Sequence, residues 1–267
     1  MTQPSEQIPP PVNPRGAKTL VVDGKDRSCY VRPSDALRDA GPDDQIFIRP
    51  GLYEDKIVAA RRSVFLVGAG REGVQIFNRR GGPLYLQQVP EGLIQGITFR
   101  YVGSDQHSAV NLLDSTCTIT GCRMMEGILS GILIYGPESR PIFSENEVCR
   151  NRESGIFVFA GARPYVSKNV CHGNHHFGIS VRDPQSRPDL VRNTCRDNML
   201  SGMLLFHFAE GMLLENHCHD NMEYGLVITP DCKPSPPLEN LAAANRFDDN
   251  PAGPLQVTEE PLKEIGR

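Results

Sequence analysis

The sequence predicts an all-β solenoid in which each coil of the chain stacks on the coil before it. One phrase occurs four times between Asn146 and Leu226, and it contains an asparagine, a cysteine, a second asparagine and a glycine in fixed order. The second asparagine recurs after 23, 24 and 23 residues, at Asn151, Asn174, Asn198 and Asn221. Turn formers and apolar residues at such a period are typical of stacked units of one coil each.

Each repeat is predicted to contain three short strands and three turns. In the second repeat we expect strands at 165–168, 170–171 and 178–182, with Asn169 at the first corner. About 23 residues are too few for a parallel strand-helix-strand unit, which needs roughly 30 or more. We therefore expect parallel pairing between successive coils, with stacked asparagine side chains bonding to each other at the corners.

The segments outside the repeats divide the chain into three predicted parts. Residues 1–18 are rich in proline and polar residues, which predicts a flexible N-terminal arm. The segment 33–40 predicts a short capping helix, with Ser34 as its N-cap and Leu37 pointing into the core. A single solenoid domain is predicted over residues 19–250, and residues 251–267 are predicted to form a C-terminal tail or cap.

Composition and charge argue against two classes of partner. The chain has 267 residues with 28 Lys and Arg against 32 Asp and Glu, so no general affinity for nucleic acid is expected. No stretch approaches the roughly 20 apolar residues of a membrane span, so no membrane partner is expected either. Because the first residues lack a basic region and an apolar region, we expect no signal peptide and a cytoplasmic location.

The eight cysteines are predicted to be free thiols. Cys149, Cys171, Cys195 and Cys218 occupy one phase of consecutive repeats, which predicts a buried ladder of small apolar side chains. The expected compartment is reducing, which disfavours disulfides. The other four cysteines show no CxxC pairing, so the sequence predicts no zinc site and no other metal site.

The repeat also resembles a known family. Its pattern is Asn-x-Val/Thr-Cys-x-x-Asn-x-x-x-Gly-Ile-x-Val, and it follows a helix-capped start and the phrase Ile46-Phe-Ile-Arg-Pro-Gly-Leu-Tyr53. These features resemble right-handed parallel β-helix proteins of the pectate-lyase-like class, and especially the carbohydrate-binding and sugar-hydrolase repeat group. The resemblance covers roughly residues 34–250. That group includes lyases, glycosidases, epimerases and non-enzymatic adaptors, so the fold does not settle the function.

The strand after each repeat glycine carries the main candidate site. If Ile156 and Val158 point inward, alternation places Phe157 and Phe159 outward. The same phase predicts an exposed apolar and aromatic stripe formed by Leu133, Tyr135, Phe157, Phe159, Arg182, Leu204 and Phe206. The resemblance implies that this face holds substrate in the lyases. Two explanations stay open: the stripe is covered by the chain's own termini or by a second copy, or it binds a carbohydrate or protein partner.

One motif favours an enzyme. Arg182, Pro184 and Arg187 match the R-x-P-x-x-R signature of pectate lyases, in which the first arginine resembles the base that removes the proton α to a uronate carboxylate. Such a lyase would need Ca²⁺ held by acidic residues on neighbouring coils. The matching positions are instead Tyr135, Phe159 and Phe206.

Three hypotheses therefore remain for the function. The leading hypothesis is non-catalytic binding of a carbohydrate or protein partner along the stripe, without a cofactor. The second is a uronate-polysaccharide lyase that uses Arg182 and Ca²⁺. The third is a structural spacer.

The histidines are predicted to form part of a basic surface. His172 and His219 follow ladder cysteines and alternate with Arg150 and Arg196 in one column. Two coils separate these histidines, or roughly 9–10 Å. That is too far for one ion with Zn–N distances of about 2 Å, so the column predicts a solvated basic edge.

Overall fold

The chain winds into a parallel β-solenoid of about nine coils, as shown by a computed structural model that describes residues 13–259. Each regular coil contributes one strand to each of three sheets, which have ten, eight and nine strands. All strand pairs between successive coils are parallel. The prediction of an all-β fold with three strands per coil is therefore confirmed.

The strands of each sheet follow one another along the solenoid axis. Sheet 1 contains Thr19–Val22, Gln45–Ile48, Val64–Gly68, Gly92–Gln95, Thr118–Thr120, Ile142–Ser144, Tyr165–Ser167, Asp189–Val191, Glu210–Leu214 and Lys233–Ser235. Sheet 2 contains Gly51–Glu54, Val74–Asn78, Thr98–Tyr101, Arg123–Met125, Glu147–Cys149, Val170–His172, Thr194–Arg196 and His217–His219. Sheet 3 contains Ile57–Ala60, Leu84–Gln87, Val110–Leu113, Ile132–Tyr135, Ile156–Phe159, Ile179–Arg182, Met203–Phe206, Tyr224–Ile228 and Gly253–Val257.

A short helix at Pro33–Asp39 lies at the N-terminal end of the core, as predicted, and buries Leu37. Its N-cap is Arg32, so the prediction of Ser34 as the N-cap is wrong. The reason is that the Ser34 backbone N–H and hydroxyl both donate to Asp55, at 2.7 Å each. A 3-10 helix at Leu238–Asn240 and a helix at Leu241–Ala244 lie near the other end. None of the helices within residues 13–259 is long and apolar enough to cross a membrane.

Both ends of the described chain pack against the solenoid. Asn13 is only 8% exposed and donates to the carbonyl of Asp43 at 3.0 Å, and the Arg15 guanidinium lies 4.3 Å from the centre of the Phe65 ring. The rest of the predicted flexible arm, residues 1–12, lies outside the described residues. At the other end Gly253–Val257 pairs with Tyr224–Ile228, so strand pairing continues past residue 250. The predicted tail at 260–267 also lies outside the described residues.

Two asparagine ladders run along the corners of the coils. In each ladder the side-chain Nδ2 donates to Oδ1 of the asparagine one coil further on, at 2.8–3.1 Å. The same Oδ1 also accepts a backbone N–H from the preceding coil. One ladder consists of Asn146, Asn169, Asn193, Asn216 and Asn245, and the other of Asn151, Asn174, Asn198, Asn221 and Asn250. The predicted stacking of corner asparagines is confirmed, and it extends past the four repeats to Asn245 and Asn250.

The cysteine ladder has three members instead of the predicted four. Strand register places Val148 beside Cys171, followed by Cys195 and Cys218, all buried in the core. Cys149 pairs with His172 and faces the other side of the strand. The prediction is wrong there because one extra residue separates Asn146 from its cysteine, and a shift of one residue inverts the face. All eight cysteines are free, as predicted.

The repeat glycine is required by a close approach between coils. At Gly178 a Cβ atom would lie 2.7 Å from the Gly202 carbonyl oxygen and 2.8 Å from the Cys195 sulfur. Real Cβ atoms do not approach other heavy atoms so closely. Any side chain at Gly178 would therefore push the coils apart next to the cysteine column.

The ladders should make single asparagines costly to remove. In the Asn198→Ala variant the backbone N–H and Nδ2 of Asn174 lose their buried acceptor, and the Cys171 carbonyl loses a donor. Each unsatisfied buried group costs about 1–3 kcal/mol. We expect the free energy of unfolding, measured by urea titration, to fall by at least about 2 kcal/mol.

The exposed Asn240→Ala variant is the matched control, because Asn240 makes no side-chain cap. Its free energy of unfolding should stay within about 0.5 kcal/mol of the parent. Equal losses in the two variants would show that the ladder contributes nothing specific.

Candidate ligand-binding site

The outward face of sheet 3 carries the predicted stripe. Ile156 and Val158 are fully buried, so their neighbours Phe157 and Phe159 point outward as predicted. Register places Leu133 beside Phe157, and Tyr135 beside Phe159. On the next strand Ser180 follows Phe157 and Arg182 follows Phe159. On the strand after that, Leu204 and Phe206 occupy the same two positions.

Four aromatic side chains on this face form a continuous surface, which we call the aromatic platform: Tyr85, Tyr135, Phe157 and Phe159. The Tyr135 and Phe159 rings are stacked, with centres 5.1 Å apart and planes 7° apart. Phe157 lies against Phe159 with ring centres 4.9 Å apart. The Tyr85 and Tyr135 hydroxyl oxygens are 3.3 Å apart. All four side chains are half-buried, so each still presents surface to a ligand.

Arg182 lies over the platform. Its guanidinium carbon is 5.4 Å from the centre of the Phe157 ring and 5.5 Å from that of Phe159, within the range of cation–π attraction. Its Nε lies 3.1 Å from Asp183 Oδ1, although the alignment is too poor for a hydrogen bond. The Arg182 side chain is 38% exposed. Since the contacts described within residues 13–259 do not use its two terminal nitrogens, these are available to a ligand.

The C-terminal part of the stripe is closed. Leu204 is 1% exposed and Phe206 is 9% exposed, so the prediction that they are exposed is wrong. They form a second apolar cluster with Phe177 and Val227, against which Phe157, Leu200 and Tyr224 also pack. Alternation along a strand predicts which side a residue faces. It does not predict burial by neighbours, which here come both from turns, with Phe177 and Leu200, and from other strands of the sheet, with Phe157 and Val227. The open part of the face is therefore the platform and Arg182.

The second arginine of the lyase signature does not join this site. Arg187 lies in the turn that leads into strand Asp189–Val191 of sheet 1, and its Nε is 3.9 Å from Glu210 Oε2. The positions where a lyase would carry acidic calcium ligands are occupied by Tyr135, Phe159 and Phe206. Their rings offer no carboxylate to Ca²⁺.

Burial shifts the pKa of Tyr135 and of two groups in the turns that lead into sheet 3. Burial raises the pKa of Tyr135, with a further contribution from its hydrogen bond to Tyr85. Burial alone raises the pKa of Glu153. Burial lowers the pKa of His176, and the neighbouring His175 lowers it further. The His176 backbone N–H donates to the Glu153 carbonyl at 3.1 Å, so these two side chains lie on adjacent coils.

Tyr85 is absent from the residues that the sequence pattern predicts at the site, and the burial of Glu153 is not predicted either. Tyr85 belongs to an early coil whose asparagines and cysteine are replaced, although the apolar residues Leu84 and Leu86 on either side of it indicate an outward tyrosine. Glu153 lies in a turn, where no periodicity predicts burial.

The predicted basic column lies on the outward face of sheet 2 but differs in composition. Register gives the order Cys149, His172, Arg196 and His219, so Cys149 takes the position assigned to Arg150. His172 and His219 are two coils apart, as predicted. His172 Nε2 lies 3.1 Å from Glu147 Oε1, and His219 pairs with Asp220. The edge is therefore a mixture of bases and acids.

Comparison with known proteins identifies the family. Residues 74–249 match the family described as right-handed beta helix region, which is more than half of the chain. The protein therefore belongs to the right-handed β-helix family, and the expected handedness and class are confirmed. Comparison with curated proteins gives no significant match.

Solved structures share this fold at low sequence identity. A pectin methylesterase from carrot is 12% identical with a TM-score of 0.56, and the match covers 91% of this chain and 84% of the methylesterase chain. An alpha-1,3-glucanase catalytic domain is also 12% identical, with a TM-score of 0.46, and covers 85% of this chain and 55% of the glucanase chain. A periplasmic alginate epimerase is 13% identical, with a TM-score of 0.41, and covers 87% and 81% of the two chains. At such identities the likeness shows the fold alone.

The raised pKa of Glu153 predicts a pH-dependent effect of its removal. A carboxyl whose folded-state pKa is raised stabilises the fold only while protonated, and this contribution is lost as the pH rises through the folded-state pKa. Glu153→Gln keeps the shape and removes the charge. We expect it to increase the free energy of unfolding at pH 7, and the gain to vanish below about pH 4.

Urea titration at both pH values measures this effect. The exposed Glu138→Gln variant should change stability by less than about 0.5 kcal/mol at either pH. A loss of stability in Glu153→Gln at pH 7 would mean that a partner stabilises the ionised carboxylate, and burial would then not be what governs its pKa.

Proposed function

We propose that the protein binds an acidic polysaccharide along sheet 3, with a uronate carboxylate at Arg182 and sugar rings on the aromatic platform. We further propose that it catalyses no reaction on this ligand. One observation carries the proposal: a guanidinium with free terminal nitrogens lies against two ring faces at an open part of the sheet.

The platform has the size and chemistry for sugars. Aromatic faces offer an apolar surface for the C–H face of a pyranose ring, and tyrosine hydroxyls add hydrogen-bonding groups beside it. Tyr85 and Phe157 lie three strands apart in one column, or roughly 14 Å. This distance exceeds one sugar ring, so the platform suits a chain better than a monosaccharide.

Arg182 supplies the preference for an acidic chain. A guanidinium can donate two parallel hydrogen bonds to a carboxylate, which makes it more selective than a single point charge. The rings of Phe157 and Phe159, together with Asp183, already hold this side chain in place. Less conformational entropy is therefore lost on binding than for a free surface arginine.

The residues around Arg182 argue against a lyase. Such a lyase needs acidic ligands for Ca²⁺, yet the matching positions carry the rings of Tyr135, Phe159 and Phe206, and the second arginine of the motif, Arg187, points to Glu210 instead. Glycoside hydrolysis needs two carboxyl groups about 5–10 Å apart. The strands Leu84–Gln87, Ile132–Tyr135, Ile156–Phe159 and Ile179–Arg182 contain no Asp or Glu.

Titration calorimetry with polygalacturonate and with its fully methyl-esterified form tests the proposal. The parent protein should bind the acidic form more tightly, and Arg182→Gln should remove this preference. A hydrogen-bonded charge pair contributes about 1.5–3 kcal/mol, which corresponds to a loss of roughly tenfold or more in affinity. Phe159→Leu, which keeps an apolar side chain but removes the ring face, should weaken binding of both forms.

Arg187→Gln is the matched control, because Arg187 belongs to the same sequence motif but lies away from the platform. It should bind both glycans like the parent. The proposal is wrong if neither uronan binds or if the two arginine variants behave alike. Formation of an unsaturated sugar that absorbs ultraviolet light would show a lyase instead. A dimer that Phe159→Leu dissociates would show that the face pairs two copies of the chain.

A further inference from the structure

We infer a second site on sheet 2, where Glu147, Cys149 and His172 would bind one Zn²⁺ ion. A carboxylate oxygen, a sulfur and an imidazole nitrogen of these residues all lie within 4.8 Å of one another. This site is on a different sheet from the aromatic platform, so it is independent of the proposed glycan binding.

Strand register builds the site from two adjacent coils. Glu147 and Cys149 are two residues apart on strand Glu147–Cys149, so their side chains point to the same face. Cys149 pairs with His172 on strand Val170–His172. All three ligands therefore stand on paired strands, which hold side chains more rigidly than loops do.

The distances fit a zinc ion after small adjustments. The Nε2 atom of His172 is 3.1 Å from Glu147 Oε1, and Cys149 Sγ is 3.9 Å from the same oxygen. Bonds of about 2.0–2.3 Å to nitrogen, oxygen and sulfur place tetrahedral ligand atoms roughly 3.3–3.7 Å apart. The third separation, between Cys149 Sγ and a ring nitrogen of His172, is at most 4.8 Å. Side-chain rotations that move these atoms by about 1–1.5 Å would bring all three to tetrahedral separations.

The chemical types of the three ligand atoms indicate which metal ion would bind. Ca²⁺ and Mg²⁺ prefer oxygen ligands, whereas a set of one thiolate, one imidazole and one carboxylate suits Zn²⁺. The Cys149 thiolate and the Glu147 carboxylate together balance the two charges of the ion. Three protein ligands leave a fourth tetrahedral position for water or another small ligand, as in catalytic zinc sites.

Arg123 is a positioning residue for this site. Its Nε and Nη2 lie 2.9 and 2.8 Å from Glu147 Oε2, which leaves Oε1 facing His172 and Cys149. Its Nη1 and Nη2 also bond to Glu72, at 3.0 and 2.7 Å. This arrangement fixes the orientation of the Glu147 carboxylate, which is how residues around a metal site usually support its ligands.

An ion-pair network alone is the alternative explanation for this cluster. It accounts for Arg123, Glu147 and Glu72. It does not account for Cys149, whose thiol is only 1% exposed and donates to the same oxygen that His172 contacts. The two explanations differ in whether the thiol is needed.

Titration of untagged, metal-free protein with Co²⁺ and Zn²⁺ distinguishes these explanations. We expect one ion per chain, and with Co²⁺ a thiolate-to-metal charge-transfer absorption in the near ultraviolet. Cys149→Ser and His172→Gln should each lower the affinity more than tenfold, and Cys149→Ser should abolish the absorption. Arg123→Gln should lower the affinity about 10–100-fold, as loss of an orienting partner does.

Cys29→Ser and His219→Gln are the controls, because Cys29 is a free thiol outside sheet 2 and His219 lies two coils from His172. Both should bind like the parent. Cys149→His supplies a replacement ligand, so it should keep Zn²⁺ affinity and lose the cobalt absorption even if the serine variant folds poorly. The inference is overturned if the parent binds no ion, or if the serine and histidine variants at Cys149 both bind like the parent with unchanged spectra.

Discussion

Asparagine side chains at the corners hold the coils between Asn146 and Asn250 in register with one another. Asn174 shows the arrangement: its Oδ1 accepts two hydrogen bonds from Asn151, and its Nδ2 donates to Asn198 and to the Val148 carbonyl. A buried turn would otherwise leave backbone groups unpaired, at about 1–3 kcal/mol each. Asparagine suits the position because one short side chain both donates and accepts. In these coils the register of all three sheets depends on the corners, since a slip of one residue would invert the faces of the strands.

Because the register is fixed, the residues that build the coil can be told apart from the outward residues that are free to carry a function. The asparagines, the repeat glycine and the inward apolar residues recur because the coil requires them, while the outward residues vary from coil to coil. On sheet 3 these variable positions bring Arg182 onto the rings of Phe157 and Phe159. On sheet 2 they bring Cys149 and His172 to Glu147. One stack of coils thus presents an apolar, aromatic face and a polar, titratable face.

Much of this could be predicted from the sequence, because a period of about 23 residues and strict alternation leave few alternatives. Alternation placed Phe157 outward and Ile156 inward correctly. The repeat phase is misleading at Cys149, because one extra residue separates Asn146 from its cysteine and places that side chain on the opposite face. The exposure predicted for Leu204 and Phe206 is wrong, because they pack in a cluster with Phe177 from a turn and Val227 from the next strand. The alternation of residues along a strand shows which side each one faces. It does not show whether residues from other parts of the chain cover that side.

Site-resolved amide hydrogen exchange tests the central claim, that the asparagine corners lock the coils together. The turn amides of Asn151, Asn174 and Asn198 donate to the next asparagine at 3.1–3.2 Å. They should exchange as slowly as core strand amides such as that of Val158. The amide of Gln185, in an exposed turn, should exchange fast. Exchange of the three asparagine amides at the rate of Gln185 would contradict this claim, because it would mean that the corners open freely while the strands stay paired.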